Sequence, residues 1–495
     1  MVFRDRIHII EILDDIYFKF SDKFKNNLGK NPWPFYRVQI GFYLYLIFNN
    51  KFNDNNNEVK LKYIPTNYKI SNFYKLCKQL IAITFLKLKH KNKLSGKVLL
   101  FGYNEHYYHY NGKDINSYLS PFKDELEKKN IPYEELLFSH DSSRKKKTEL
   151  YDLYTAIYQY QKSKFLLKNL FNKNNENAYK NAEIVNGYFL EKGLKQHGYI
   201  SKVLYAGQIN FEIKYFAFVQ FLKILNPKLI WTYCFYDSST MALIKAANYL
   251  KVDNVEYQHS IQPDEHFAYA KWHDIDLYKE FFPNKFWVWQ QSDKDRILKN
   301  FTGINYLPKP IYGENLFSIQ EKEISSSIMP EHKNGVLITL QGDWIPSYLE
   351  SIIEEDKIFF WYFRLHPRYL GGDKEQLLKL RNMYSEKIDI EDANNLTVYE
   401  LFRKVKFHIT AASGVALESK GFSIKNIITG LFGLSAYKVE IESGLFSYCT
   451  DKDTMYELLY KKTDFDKNSN ADILMERKIV DNELNKLLLN EESYL

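Results

Sequence analysis

The sequence predicts an α/β protein built from two tandem units, each a parallel sheet with helices on both faces, behind a helical N-terminal region. Three observations carry this reading. Short apolar runs alternate with helix-period segments, the pattern of parallel strands joined by crossover helices. The alternation begins at Lys97 and restarts after a hinge-like segment from Pro308 to Lys333. The chain has 495 residues, 45% of them hydrophobic. At ~150 residues per domain that is two to three cored domains, and it excludes a largely disordered chain. The expected division is 1–95 helical, 96–320 first unit, 321–470 second unit, and 471–495 a final helix crossing back.

The strands and helices follow in order. KVLLFGY, from Lys97, reads as a buried strand. The loop NEHYYHYNGKD (104–114) follows it, then a helix from Pro121 to Lys129 and the strand PYEELLF. Residues 148–225 are helical in period. PKLIWTYCF, SSTMALIKAANYL, NVEYQH and FWVWQ then read as strand, helix, strand and strand. In the second unit GVLITLQ is a strand, PSYLESIIEE a helix and IFFWYFRLH a strand. A helix over 374–384 and the short strand KIDIED come next. Thr397 and Glu400 have capping-box spacing, with Leu396 and Leu401 placed as a hydrophobic staple. KFHIT is a strand, SGVALESKG a helix, KNIIT a strand, and a last strand lies near Phe446. ILMERKIVDNELNKLLL is an amphipathic final helix, and NDNNNE (53–58) is a surface loop.

Composition narrows the function. Sixty-eight basic against 61 acidic residues leave a net charge of +7, without the concentrated basic face of a nucleic-acid binder. Cys77, Cys234 and Cys449 stand far apart, forming neither a disulfide framework nor a zinc pattern. That fits a reducing compartment, and the start of the chain lacks the apolar core of a secretory signal, so a cytoplasmic location is expected. Forty Tyr and 36 Phe supply aromatic surface for sugars or bases without choosing between them. The apolar run Phe35–Phe48 is too short to span a membrane and reads as a buried helix or as a membrane-surface contact. The basic runs Lys87–Lys93 and Arg144–Lys147 read as solvated faces, or as docking sites for anionic lipid on the inner face of the plasma membrane.

In open α/β sheets ligands bind beyond the carboxyl ends of the strands, so candidate chemistry is sought there. RLHPR (364–368) closes an apolar strand. Period two puts Arg364, His366 and Arg368 on one side, suited to a phosphate, and Pro367 stiffens the loop. The stretch from Thr410 to Gly414 joins a strand to a helix. The Ser413 hydroxyl and the first amides of that helix can hold an anion, or Ser413 is an ordinary cap. Glu418, one turn on, can take ribose hydroxyls or is an exposed helical glutamate. Gln341 and Gly342, with the loop to Trp344, form a third strand end. In the first unit EYQHSIQPDEH supplies Gln258, His259, Gln262 and His266 to the cleft. Asp237 is either catalytic or the cap of the helix that follows. Glu105 and His106, with His109 and Asp114, are the candidates for a general base. Asp293/Asp295 and Asp451/Asp453 read as helix caps. The His-rich loop shows no readable ligand set, so neither a metal nor a cofactor is expected.

These residues resemble a family. The paired units resemble the GT-B fold, two Rossmann-like α/β/α domains facing a cleft. The closer likeness is to bacterial capsule and surface-polysaccharide glycosyltransferases, the sialyl-, Kdo- and CDP-glycerol-dependent enzymes. YFRLHPR resembles their HP motif, which implies a donor-phosphate contact for His366. HITAASGVALESKGFSIKNIIT resembles their phosphate- and ribose-binding segment, which implies those roles for Ser413 and Glu418. IWTYCFYDSSTMALIKAANYLKVDNVEYQHS resembles the first-domain pattern ending in Gln-His-Gly, matched by Gln258 and His259, with Ser260 where glycine is usual. No family acid/base motif is present. The resemblance implies a metal-independent transferase moving a sugar, a CMP-activated acidic sugar by preference, from a nucleotide-sugar donor to a glycan or lipid-linked glycan acceptor. The alternatives are a nucleotide-sugar epimerase or hydrolase on the same fold, and a non-catalytic assembly partner.

Overall fold

A computed structural model describes residues 3–24, 31–48, 70–90, 96–110, 112–139, 148–171, 176–194, 197–325, 334–340, 345–366, 470–489 and, except 380, 383 and 385, 377–461. NDNNNE, the run Arg144–Lys147, and most of the 374–384 segment lie outside them.

The first unit contributes β1 (Val98–Tyr103), β2 (Tyr107–Tyr110), β3 (Lys113–Asn116), β4 (Tyr133–Phe138), β5 (Leu229–Tyr233), β6 (Asp253–Tyr257), β7 (Lys285–Val288) and β8 (Lys309–Tyr312). Six of them form a parallel sheet in the order β4-β1-β5-β6-β7-β8. β2 and β3 pair apart from it as an antiparallel hairpin. The second unit contributes β9 (Gly335–Thr339), β10 (Phe360–Arg364), β11 (Ile388–Asp389), β12 (Phe407–Thr410), β13 (Lys425–Ile428) and β14 (Phe446–Tyr448). They form a parallel sheet in the order β11-β10-β9-β12-β13-β14. Both orders are doubly wound, and together they are the GT-B arrangement. The order reverses between β1 and β5 in the first sheet, and between β9 and β12 in the second.

The strands form where the sequence is apolar without alternation, because helices cover both faces. β1 and β5 are buried along their whole length. Caps set the helix starts. Asp237 accepts from the amides of Ser239 and Thr240, and Thr397 and Glu400 form the expected capping box. Asp451 caps the helix Lys452–Tyr460. Asp293 does not cap the helix Gln291–Phe301, which starts after Gln290. It lies in the first turn, buried, and takes hydrogen bonds from Gln258 and Arg296.

The hinge-like segment at 308–333 holds more structure than its composition predicts. β8 is the edge strand of the first sheet, where Pro310 costs no ladder bond that an interior strand would need. The helix Leu316–Ser325 then serves as the joint between units. Ser318 Oγ bonds Tyr399 and the Glu418 carbonyl at 3.0 and 3.2 Å. Glu321 takes a bond of 2.6 Å from Tyr110 of the hairpin and pairs with Arg403 at 3.5 Å.

Among the described residues, the N-terminal region supplies the helices Phe3–Phe20, Trp33–Phe48 and Ile70–His90. Phe35, Tyr36, Val38, Ile40 and Leu44 are fully buried, so this part of the run Phe35–Phe48 is core, whereas Leu46 near its end is exposed. Arg37 is buried inside it, its Nε donating to the Phe267 carbonyl at 3.1 Å and its guanidinium lying 4.4 Å from the Trp272 ring centre. Burial lowers its pKa to about 10 against the raising effect of Asp14, whose Oδ1 is 3.8 Å from Nη1. No described helix is long and apolar enough to cross a membrane.

The helix Asn470–Leu489 packs on the first unit. Arg477 forks onto both oxygens of buried Glu125 at 2.8 and 2.7 Å, and Lys129 reaches Asn485 at 2.7 Å. Val480, Leu484 and Leu487 join the first unit's core. Burial pushes the Glu125 carboxyl up, but Arg477 and Lys128 outweigh it and the net shift is downward. A lowered carboxyl contributes stability above its ordinary value of 4.5 and loses that contribution as pH falls through the folded value. Arg477→Ala leaves Glu125 buried without its fork. The expected loss is about 1.5–3 kcal/mol in urea unfolding at pH 7, shrinking toward pH 4, and equal losses at both pH values would count against the pair.

Candidate active site

The carboxyl ends of the two sheets face each other and their loops touch. A Cβ placed on Gly414, after β12, would lie 3.6 Å from the Cα of Ser260, after β6. Lys420 reaches Gln290 at 3.0 Å, and Ser435 reaches Glu265 at 2.5 Å. Candidate residues from both units therefore collect along one seam.

On the first unit, β1, β5 and β6 end in Tyr103, Tyr233 and Tyr257. Tyr233 Oη accepts the amide of Tyr103 at 2.9 Å and shares a 2.8 Å hydrogen bond with His106 Nδ1. Tyr118 lies against Tyr233, His106 and His259, with ring centres 4.8, 5.6 and 6.2 Å apart. Tyr236 bonds His259 Nε2 at 3.1 Å and contacts the His266 ring at 5.1 Å. His106, His259 and His266 thus belong to one continuous wall of imidazole and phenol rings. Such faces stack on sugars and bases, and their polar edges accept or donate hydrogen bonds.

The histidines are not equivalent. Burial, with the nearby Arg6 cation and His259 adding to it, lowers the His266 pKa to about 3. Its Nδ1 accepts the Ala268 amide at 3.2 Å, so the neutral ring carries its proton on Nε2 and acts as a donor, not a base. Glu105 follows β1 in the single turn Asn104–His106 and accepts from Ser139 at 2.6 Å. The rest of the 104–114 loop does not line the cleft as an open loop. It forms the hairpin, whose Tyr110 packs into the second unit. His109 and Asp114 pair with each other at 3.2 Å on its exposed side.

Asp237 Oδ1 takes the amides of Ser239 and Thr240 and the hydroxyl of Tyr103. Of the two readings left open by the sequence, the geometry shows the cap. Gln258 is buried and bonds Asp293, the Ser260 carbonyl and the Trp289 amide, which fixes the turn after β6. Gln262 is buried, and its Oε1 has no protein partner among the described residues. Glu256, one residue before the end of β6, holds the Phe235 amide at 3.1 Å and the Tyr269 hydroxyl at 2.5 Å. Burial pushes its carboxyl up to about 8. It anchors the turn in which Cys234 adopts φ 57° and from which Tyr236 and Asp237 project. Glu256 and the tyrosine wall are not among the residues that the sequence singles out. Their signals were a glutamate inside an apolar strand and a tyrosine at each of three strand ends.

On the second unit, Thr339, Arg364 and Thr410 are level in the sheet register. His366, two residues beyond Arg364, is half-buried. Pro367, Arg368, Gln341 and Gly342 lie outside the described residues. Arg364 Nη1 donates to the carbonyls of Ala393 and Leu396 at 2.8 and 2.5 Å. Asn394 adds bonds to the Leu365 amide and the Phe363 carbonyl, so the strand end is tied to the segment 391–396. That guanidinium ties the strand end that precedes His366 to the segment 391–396. Burial lowers the Arg364 pKa, opposed by Glu418.

The expected helix over SGVALESKG is shorter, Val415–Glu418, and Gly414 precedes it without a side-chain cap. Ser413 is buried, its Oγ accepting from Val415 at 3.3 Å and its amide donating to Thr410 Oγ1 at 3.1 Å. Thr410 Oγ1 in turn donates to the Thr339 carbonyl, which links β12 to β9 at the switch point. Glu418 is not an exposed helical residue. Burial raises its carboxyl, against the lowering effects of a Tyr399 hydrogen bond and Arg364. Below the site His408 is buried between Thr339 and Asn426, each at 2.8 Å, and burial lowers its pKa to about 4. No group of three or more metal-ligating side chains occurs among the described residues.

No protein-family model matches the chain, and no curated protein matches it. Solved structures of similar shape include a UDP-N-acetylglucosamine 2-epimerase, at 13% identity and a TM-score of 0.46, covering 80% of this chain and 96% of that one. The Methanocaldococcus jannaschii UDP-GlcNAc 2-epimerase, solved with UDP-GlcNAc and UDP, gives 14% and 0.43 over 78% and 99% of the two chains. The wall teichoic acid polymerase TagF gives 10% and 0.36 over 86% and 96%. At these values the likeness bears on no residue and no reaction.

The turn from Thr410 to Gly414 is held from behind. A Cβ on Gly433 would lie 2.1 Å from the Ala411 carbonyl, and Tyr437 donates to the Ser413 carbonyl. Gly433→Ala forces that turn to move. The expected cost is about 1–3 kcal/mol, read as a fall in melting temperature, and an unchanged melt would show that the turn is not held there.

Proposed function

We propose that the chain is a metal-independent glycosyltransferase that uses a nucleotide-sugar donor. One observation carries the reading: the switch points of two doubly wound sheets face each other, one bearing a wall of imidazole and phenol rings and the other the His366 and Thr410–Gly414 turns. Ligands of open α/β sheets bind at such points.

In this reading the donor lies on the second unit. His366 and Arg368 hold its phosphates, the Thr410–Gly414 turn allows close approach, and Glu418 takes the ribose hydroxyls. Arg364 and Asn394 act as positioning residues for the His366 loop. Cationic donors at the phosphates stabilise the leaving nucleotide as its charge grows. The acceptor lies over the tyrosine wall, and Glu105 or His106 takes the proton of its attacking hydroxyl. His266, a fixed donor, orients that hydroxyl rather than activating it. The likeness of YFRLHPR to the HP motif favours a CMP-activated acidic sugar as donor and a bacterial surface glycan as acceptor.

A thermal-shift panel with CMP, CDP, UMP, UDP and GDP tests the donor half. Ligand at 100 times its dissociation constant adds about 2.7 kcal/mol, a visible rise in melting temperature. One nucleotide, CMP by this reading, is expected to shift the wild type, and His366→Ala to weaken it by ~1–3 kcal/mol. No shift with any of them would overturn the proposal. Glu105→Gln and His106→Ala are expected to lower turnover while leaving nucleotide affinity unchanged. Full activity in both would remove that turn from the mechanism. Sugar nucleotide consumed equally fast without acceptor would identify an epimerase or hydrolase instead.

A further inference from the structure

The helix Ile70–His90 has two apolar faces, and among the described residues only one is covered. Ile83 points inward and is buried, and the helix packs on the helix Glu149–Phe171, with Gln79 bonded to Ser163 at 3.2 Å. On the opposite side Ile81, Phe85 and Leu88 are 72, 69 and 69% exposed. Their spacing of four and three residues sets them in one stripe along the helix. Isolated exposed apolar residues are ordinary, but an aligned stripe of three large ones facing away from the body is not.

Charge chooses the occupant. No Asp or Glu occurs in the sequence between Glu58 and Glu105, whereas lysines recur throughout that stretch. Lys78 and Lys89 are exposed beside the stripe. Among the described residues, Glu149 of the neighbouring helix reaches it, paired with Lys89 at 2.6 Å. An apolar stripe bordered by lysines, in an acid-free segment, suits a surface that is apolar within and negative at its headgroups. We infer that the outer face of the Ile70–His90 helix docks flat on an anionic lipid bilayer. Ile81, Phe85 and Leu88 enter the acyl boundary, and the lysines meet the headgroups. The inference rests on this helix alone and stands or falls apart from the glycosyltransferase reading.

Co-sedimentation of the full chain with lipid vesicles tests it. Vesicles of phosphatidylcholine with 30 mol% phosphatidylglycerol are expected to bind the protein about tenfold or more tightly than phosphatidylcholine alone, and 0.5 M NaCl to weaken the binding. Ile81→Ser with Phe85→Ser is expected to lose about tenfold in partitioning at an unchanged melting temperature, since both side chains are exposed. Equal binding to both vesicle types, or full binding by the double variant, would overturn the inference. So would a wild-type dimer in light scattering that the same variant converts to monomer, which would show that a second copy covers the stripe.

Discussion

All strands of each main sheet run the same way, and this constraint organises the molecule. A parallel strand needs a long return connection, so helices cover both faces and the strands themselves carry no polar side that could face water. Polar chemistry is driven to the strand ends. In this chain the end residues are Tyr103, Tyr233 and Tyr257 on one sheet and Thr339, Arg364 and Thr410 on the other. Each set is tied sideways within its own sheet, Tyr233 to the Tyr103 amide and Thr410 to the Thr339 carbonyl. The cleft walls are therefore extensions of the sheets, stiffened by the same hydrogen bonding.

The two walls are joined by chain that belongs wholly to neither. The β2–β3 hairpin leaves the first sheet and inserts Tyr110 into a cluster with Phe317, Tyr399 and Phe402. The helix Leu316–Ser325 receives Tyr110 on Glu321 and sends Ser318 to the Glu418 carbonyl. The Glu418 backbone and the hairpin are thus linked through one helix of ten residues.

Strands were legible in the sequence wherever burial on both faces removed alternation, as in VLLFGY and LIWTY, and caps were legible at Asp237, Thr397 and Asp451 because their signal is local. What was not legible depends on distant partners. Arg364 reads as a cation suited to a phosphate, and its bonds to the carbonyls of Ala393 and Leu396, some thirty residues on, have no local signal. Asp293 reads as a cap until Gln258 claims it from another strand end. The hairpin was hidden because Tyr108 and Tyr110 pack against the cluster of the other unit, so its pattern does not match its own sheet. β8 was hidden by Pro310, which only an edge position tolerates.

The helix Asn470–Leu489 gives the order of synthesis a part in assembly. Its Val480, Leu484 and Leu487 belong to the core of the first unit, and its Arg477 satisfies a carboxylate buried there since Glu125. The ribosome completes the entire second unit before it supplies them. A domain that begins folding early usually finishes early. Here the first unit to leave the ribosome waits for this late segment. Until it arrives, the nascent chain carries an apolar groove and a Glu125 held by Lys128 alone, a state in which a chaperone has something to hold.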